Sequence, residues 1–183
     1  MKLLSLSLAV LISLSASFVV AEEKKDVDLK AKIDGVQQQL DELIDQGGKY
    51  AYIQIARKNG LSPFAIAVDK VGSTVLLEVP QSEKDATIKD KVLELRRLLK
   101  MTADSGTMKA GALFVQGQVP HKGKTVNGVA IELEHELGMS VLRFSPYEID
   151  RENKKIQFKQ PVDKIKPVVF FKDVQEKQKN KNS

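Results

Sequence analysis

Histidine is the residue type in this chain with the clearest capacity for acid–base chemistry, because its ring changes charge near neutral pH. The sequence contains two histidines, His121 and His135, and no cysteine. His135 belongs to an alternating apolar and polar run, and a two-residue turn after that run places Ser140 directly opposite it. A histidine base beside a hydroxyl could activate that hydroxyl for nucleophilic attack. The alternative, which we favour, is a partly buried histidine that is hydrogen-bonded at a sheet edge.

Three glutamates alternate with apolar residues in the same run: Glu132, Glu134 and Glu136. Alternate residues share one face of a strand, so their carboxylates could converge on a calcium or manganese ion. A calcium site also needs backbone or loop oxygens, and our predicted register places Arg143 opposite Glu132. We therefore expect a solvated acidic face that Arg143 partly neutralises, with no bound metal and no other cofactor.

A basic loop between two predicted strands, 120–124, reads Pro-His-Lys-Gly-Lys. His121, Lys122 and Lys124 could surround an anion, because Gly123 lets backbone donors approach it. The loop lacks the spacing of a phosphate-binding loop, and the two histidines of the chain are not spaced as a metal-binding pair. We interpret the segment as an ordinary basic turn and keep anion binding as the alternative.

The hairpin predicted over 129–147 must position most of these residues. Its first run alternates residue by residue, which sorts a strand onto two faces but scatters a helix. Gly138 suits the turn, since glycine accepts positive φ. The resulting register pairs Leu133 with Leu142 and predicts the middle of an antiparallel sheet.

Helical and strand periodicities predict the elements on both sides of this hairpin. Ser82 is a good N-cap for the clearest helix. The predicted elements are a helix over 29–44, an interruption at Gly47-Gly48, an ambiguous segment over 49–58 that we assign as helix, strands over 63–69 and 74–79, a helix over 82–103, and strands over 110–119 and 155–159.

The predicted fold class is α+β: an antiparallel sheet of five to six strands, built as a two-strand hairpin, a helix and a meander, with helices packed on one face. By element order, without a residue motif, the segment 29–160 resembles the roadblock or profilin-like architecture, in which a five-stranded antiparallel sheet carries helices. The resemblance implies scaffolding of proteins or small ligands more than catalysis.

Residues 1–21 have the composition of a secretory signal peptide. A basic start at Lys2 precedes a long apolar run, and small residues stand before Glu22 at the predicted cleavage site. The run is long enough for an uncleaved anchor to be the alternative. The chain has no cysteine and no Asn-x-Ser/Thr acceptor, which favours a bacterial periplasm or exterior over an animal secretory route.

The rest of the chain is predicted to be a single domain over 29–171. A flexible charged lead-in, 22–28, precedes that domain, and a disordered polar tail, 172–183, follows it. We expect no membrane span after signal cleavage. The formal net charge of +5 is dispersed along the chain, so we expect no nucleic-acid partner.

These observations favour an exported, non-enzymatic binding or protein-interaction module of the bacterial envelope, with a protein partner or self-association. One alternative is a small-ligand sensor or carrier, with a pocket between sheet and helix lined by Phe64, Phe114 and Phe144. The other alternative is a small hydrolase or metal-dependent enzyme that uses His135.

Overall fold

The structure, a computed structural model, describes residues 15–58, 60–79, 86–121, 123–150, 152–153 and 155–181. The chain divides into two compact units, Met1–Gln37 and Gln38–Ser183. The elements in chain order are α1 (Ser15–Lys58), β1 (Phe64–Asp69), β2 (Thr74–Leu77), α2 (Ile88–Asp104), β3 (Met108–His121), β4 (Lys124–His135), β5 (Ser140–Asp150), β6 (Lys155–Phe158), β7 (Val162–Ile165) and α3 (Lys172–Lys181).

The strands form one open antiparallel sheet in the order β2-β1-β3-β4-β5-β6. β7 is a seventh strand, which pairs with the first half of β5, whereas β6 pairs with the second half. The predicted α+β class and the antiparallel sheet are therefore confirmed. The short β7 was not predicted, because four exposed residues leave no alternation of burial to detect.

The helices lie on both faces of the sheet, which corrects the prediction that they pack on one face. Leu113 of β3 belongs to a buried cluster with Leu95 and Leu99 of α2. The next residue, Phe114, points to the other face, where its ring meets Gly47 of α1. Successive strand residues point to opposite faces, so β3 is buried on both sides.

The register of the central hairpin differs by one residue from the predicted one. Leu133 pairs with Val141 rather than with Leu142, because the turn spans 136–138 instead of two residues. Gly138 adopts a φ of 96° in that turn, as expected for glycine. Both faces of the sheet are covered, so the apolar row did not specify the register as strongly as a one-faced sheet would have done.

The predicted interruption of the first helix at Gly47-Gly48 is wrong, since α1 continues to Lys58. A Cβ added to Gly47 would lie 2.0 Å from Cζ of Phe114. The glycine is therefore needed for the approach of an aromatic ring. This tertiary contact outweighs the low helix propensity of glycine.

The second helix begins later than predicted, at Ile88. Thr87 is its N-cap and forms a capping box with Asp90, with the Asp90 N–H 3.2 Å from Thr87 Oγ1. Such a reciprocal pair satisfies two donors that the helix itself cannot bond. The predicted cap, Ser82, lies outside the described residues.

Both predicted flexible segments contain helix where the structure describes them. Residues 22–28 belong to α1, and residues 172–181 form α3 rather than a disordered tail. Asp173 of α3 forms an ion pair with Lys100 of α2, which composition alone could not reveal. Of the predicted signal peptide, residues 1–14 lie outside the described residues and the remainder lies in α1. No helix in the described part of the chain is long and apolar enough to cross a membrane.

Candidate functional site

A groove of about 600 Å³ lies between α1 and the sheet. This volume is in the range of about 300–1,000 Å³ that small-molecule sites occupy. Its surface is mostly apolar. The residues that line it come from α1, from four neighbouring strands and from the segment after β6: Ile44, Asp45, Gly48, Lys49, Ala51, Tyr52, Ile53, Phe114, Val129, Ile131, Arg143, Ser145, Phe158, Lys159 and Pro161.

Small residues on α1 leave the space that forms the groove. Gly48 and Ala51 face it one turn apart. A Cβ added to Gly48 would have no described atom within 4 Å, in contrast to the crowded neighbouring position Gly47. The groove therefore exists because the helix presents no large side chain at this point.

The sheet side of the groove is supported by stacked aromatic rings. Phe114 lines the groove, and Phe64 stacks on it with a ring-centroid distance of 4.7 Å and an interplanar angle of 6°. Tyr50 meets Phe64 edge-on at 4.8 Å. Packed aromatic side chains of this kind have little freedom, so this wall is largely preformed.

Large apolar side chains stand exposed at the groove. The exposed fractions are 41% for Tyr52, 45% for Ile53 and 40% for Phe158. Exposed apolar residues that adjoin a concave apolar surface are typical of a binding site, whereas isolated ones are ordinary. An occupant of the groove would remove these three side chains from water.

Only one of the three predicted pocket phenylalanines lines the groove. Phe114 does so, and Phe64 is fully buried behind it. Phe144 points to the opposite face of the sheet, where a Cβ added to Gly128 would lie 2.3 Å from its ring. The one-residue difference in register explains this, because it exchanges the faces of all β5 side chains relative to β4.

The ring of His135 has hydrogen-bond partners at both nitrogens. Nδ1 accepts from the backbone N–H of Leu137 at 3.1 Å, so Nε2 carries the proton and donates to Oε1 of Gln39 at 3.1 Å. Burial lowers the pKa of the ring, the charge of Glu136 partly opposes this, and nearby Lys109 and Lys70 lower the pKa further. His135 is thus held as a neutral, structural histidine.

The predicted base and hydroxyl pair does not form. Ser140 is paired with Glu134 and so lies on the face opposite to His135. Its hydroxyl donates to the carbonyl oxygen of Pro167 at 3.2 Å. The geometry therefore gives no support to nucleophilic catalysis by these two residues.

The predicted acidic row is not a solvated face, and Arg143 does not neutralise it. Glu132 accepts hydrogen bonds from Arg96 of α2, with Nε of Arg96 at 3.3 Å from Oε2. Glu136 is paired with Lys70. Arg143 points to the other face of the sheet. Within the described residues, no group of three His, Asp or Glu side chains could hold a metal ion.

Glu134 is the fully buried member of the row. Its carboxylate accepts hydrogen bonds from Lys166 and from the backbone N–H groups of Val169 at 2.9 Å and Phe170 at 2.6 Å. These donors belong to the segment between β7 and α3, which covers the α2 face of the sheet. Glu134 therefore fixes the C-terminal segment to the sheet, a role that the alternation in sequence did not reveal.

The predicted basic loop is described only in part. His121 is the last residue of β3, Lys124 is the first residue of β4 with an exposed side chain, and Lys122 lies outside the described residues. Gly123 has a φ of 74°, which suits the tight turn between these strands. Anion binding by this loop stays a prediction.

Four charged side chains at the groove were not predicted as site residues: Asp45, Lys49, Arg143 and Lys159. Arg143 forms two hydrogen bonds of 2.7 Å each with Asp163, and these bonds raise the pKa of its guanidinium. Besides the predicted Phe114, the small residues on α1 were a signal in the sequence for this groove. That signal cannot show which surface the helix faces.

Comparison of the chain with known protein families, curated proteins and solved structures found no match. The resemblance to the roadblock or profilin-like architecture stays a prediction. The functional interpretation rests on the groove and its surroundings.

Proposed function

We propose that this chain is a binding module that holds a small apolar ligand in the groove between α1 and the sheet. The observation that carries the proposal is the groove itself: about 600 Å³, mostly apolar, with Phe114 on one wall and a gap at Gly48 on the other. Apolar ligands bind such surfaces because binding removes both surfaces from water.

The proposal takes up the binding function that the sequence favoured and combines it with the small-ligand alternative. The hydrolase alternative required a hydroxyl group beside His135. Ser140 lies on the opposite face of the sheet from His135, so it cannot supply that group. A protein partner or self-association stays a prediction. The apolar side chains exposed at the groove, such as Ile53, would serve a protein partner as well as a small ligand, so the test must distinguish the two.

We further propose that the module works after export to a bacterial periplasm or exterior. The support is the composition of residues 1–21 and the lack of cysteine. Expression of the full chain in a Gram-negative host, followed by N-terminal sequencing of the periplasmic protein, should give Glu22 as the first residue. An unprocessed chain that sediments with membranes would contradict cleavage.

A substitution that fills the groove tests the proposed function. Gly48→Leu adds a side chain where a Cβ has no described atom within 4 Å, so the fold should tolerate it. The fluorescent probe 1-anilinonaphthalene-8-sulfonate should bind the natural chain and lose at least about tenfold in affinity in Gly48→Leu, or about 1.4 kcal/mol. Native mass spectrometry of the purified protein should show a small bound ligand that the variant lacks.

The matched control is Gly35→Leu in the same helix. A Cβ at Gly35 also has no described atom within 4 Å, and this residue does not line the groove. The control should bind the probe like the natural chain. Equal binding by all three proteins would place the probe elsewhere and contradict the proposal. A captured macromolecule that both variants retain would also contradict it.

A further inference from the structure

Most of the charged side chains that line the groove are cationic. In the described part of the chain, the charged side chains that line it are Lys49, Arg143 and Lys159 against the single carboxylate of Asp45. Two carboxylates outside this lining, Asp163 and Glu148, pair with Arg143 and Lys159, so the groove can attract an anion only through cations that can leave their partners. An apolar groove lined by such cations favours a ligand that has an apolar body and an anionic end.

Arg143 is not free to serve such an end. It is bonded through two nitrogens to Asp163, which is also its direct cross-strand partner in the pairing of β5 with β7. The Arg143 side chain is only 19% exposed. Asp163 is 44% exposed, but a bidentate arginine–carboxylate pair is stronger and geometrically more specific than a single ammonium–carboxylate contact. Arg143 therefore secures β7, and the ligand must be held by other cations.

Lys49 and Lys159 are held only by exposed partners. Lys49 pairs with Asp45 one helical turn away, at 2.7 Å, and Lys159 pairs with Glu148 at 2.9 Å. Ion pairs between such exposed side chains contribute little to stability, because water competes for both charges. Each ammonium group can therefore exchange its present partner for a ligand at small cost.

The two lysines belong to different walls of the groove. Lys49 lies on α1, on the turn that also presents Gly48 and Tyr52, whereas Lys159 follows β6 directly after the exposed Phe158. Lysine carries its charge on a long flexible stem, so its ammonium group can turn to an anion while the stem covers apolar surface. Cations are thus available on the helix side and on the sheet side.

We infer that the ligand of this groove is a single-chain amphiphile with an anionic head group, which Lys49 and Lys159 bind from the two walls. This inference rests on the proposed function and adds the charge of the ligand to it. The chain of the amphiphile lies against Phe114 and Ile131, and the head group lies where the two lysines meet solvent.

Calorimetric titration with dodecanoate, dodecanol and dodecyltrimethylammonium, each below its micelle concentration, tests the inference. The three probes share a chain length and differ in the charge of the head. We expect dodecanoate to bind the natural chain at least about tenfold more tightly than dodecanol, and the cation to bind most weakly. The preference for dodecanoate should weaken as salt rises, since exposed charges are screened.

The double variant Lys49→Gln/Lys159→Gln should lose the preference for dodecanoate and keep its affinity for dodecanol. The matched control is Lys89→Gln/Lys177→Gln, which removes two exposed lysines that do not line the groove. The control should keep the preference, because it changes the net charge by the same amount without changing the groove.

The possible failures are distinguishable. Equal affinity of the natural chain for dodecanoate and dodecanol, with both lost in Gly48→Leu, would overturn the anionic head group and leave the proposed function in place. The same loss of preference in both double variants would show a general charge effect and overturn the role of the two lysines. No binding of any of the three amphiphiles to the natural chain would overturn this inference, and no probe binding at all would overturn the proposed function with it.

Discussion

At the scale of single residues, Glu134 is the most consequential side chain outside the groove. It has no exposed surface, and its partners are one ammonium group and backbone N–H groups of the C-terminal segment. A buried carboxylate is tolerated only when charge and hydrogen bonds replace the water it has lost. Lys166 and Val169 supply part of that replacement.

We predict that Glu134→Gln destabilises the fold by about 3 kcal/mol, because it removes the fully buried partner of Lys166 and leaves this mostly buried ammonium group with only Glu132, at 3.9 Å. Urea denaturation of the natural chain and the variant measures the difference. Glu148→Gln, which removes the exposed partner of Lys159, should change the free energy of unfolding by less than about 0.5 kcal/mol. Similar values for both variants would contradict the assigned role of Glu134.

His135 leads to a prediction about pH. Burial lowers the pKa of its ring in the folded state below the value of about 6.5 expected for the unfolded chain. The unfolded chain therefore binds more protons, so the contribution of His135 is present above pH 6.5 and declines as the pH falls toward the folded-state pKa. The difference in unfolding free energy between the natural chain and His135→Gln should shrink between pH 7.5 and 5.5. A difference in unfolding free energy that does not change with pH would show that folding does not lower the pKa of the His135 ring.

At the scale of elements, the hairpins and the alternation of β4 were predictable, because period-two burial is local information. The register between β4 and β5 was not, since Gly138 suits a two-residue turn as well as the three-residue turn it occupies. The continuity of α1 through Gly47-Gly48 was also hidden, because it depends on Phe114 more than sixty residues later in the chain.

The two adjacent glycines of α1 should respond oppositely to the same substitution. Gly48→Ala should stabilise the fold by about 0.5–1 kcal/mol through helix propensity, because the added methyl group enters the groove. Gly47→Ala should destabilise it by about 1–3 kcal/mol, because the methyl group overlaps the ring of Phe114. Thermal unfolding of the two variants measures both effects. A gain in stability for Gly47→Ala would show that the ring does not rest against the helix.

At the scale of the whole molecule, the class and the antiparallel sheet followed from the order of elements. The order of elements did not predict that both faces of the sheet are covered. Such a prediction requires knowing which helix packs on which face of β3. The groove was even harder to predict from the sequence, because it forms where small residues of α1 face Phe114 and Ile131 of the sheet. The sequence shows that Gly48 and Ala51 are small, but only the packing of α1 against the sheet shows that they line a groove.

The buried cluster beneath α2 includes Phe170 and Phe171, which follow Leu113 by more than fifty residues in the chain. During synthesis, Leu95, Leu99 and Leu113 leave the ribosome long before the two phenylalanines that complete their packing. The nascent chain therefore completes this cluster only after the segment that follows β7 has been synthesised. Until then the apolar α2 face of its sheet stays open to chaperones.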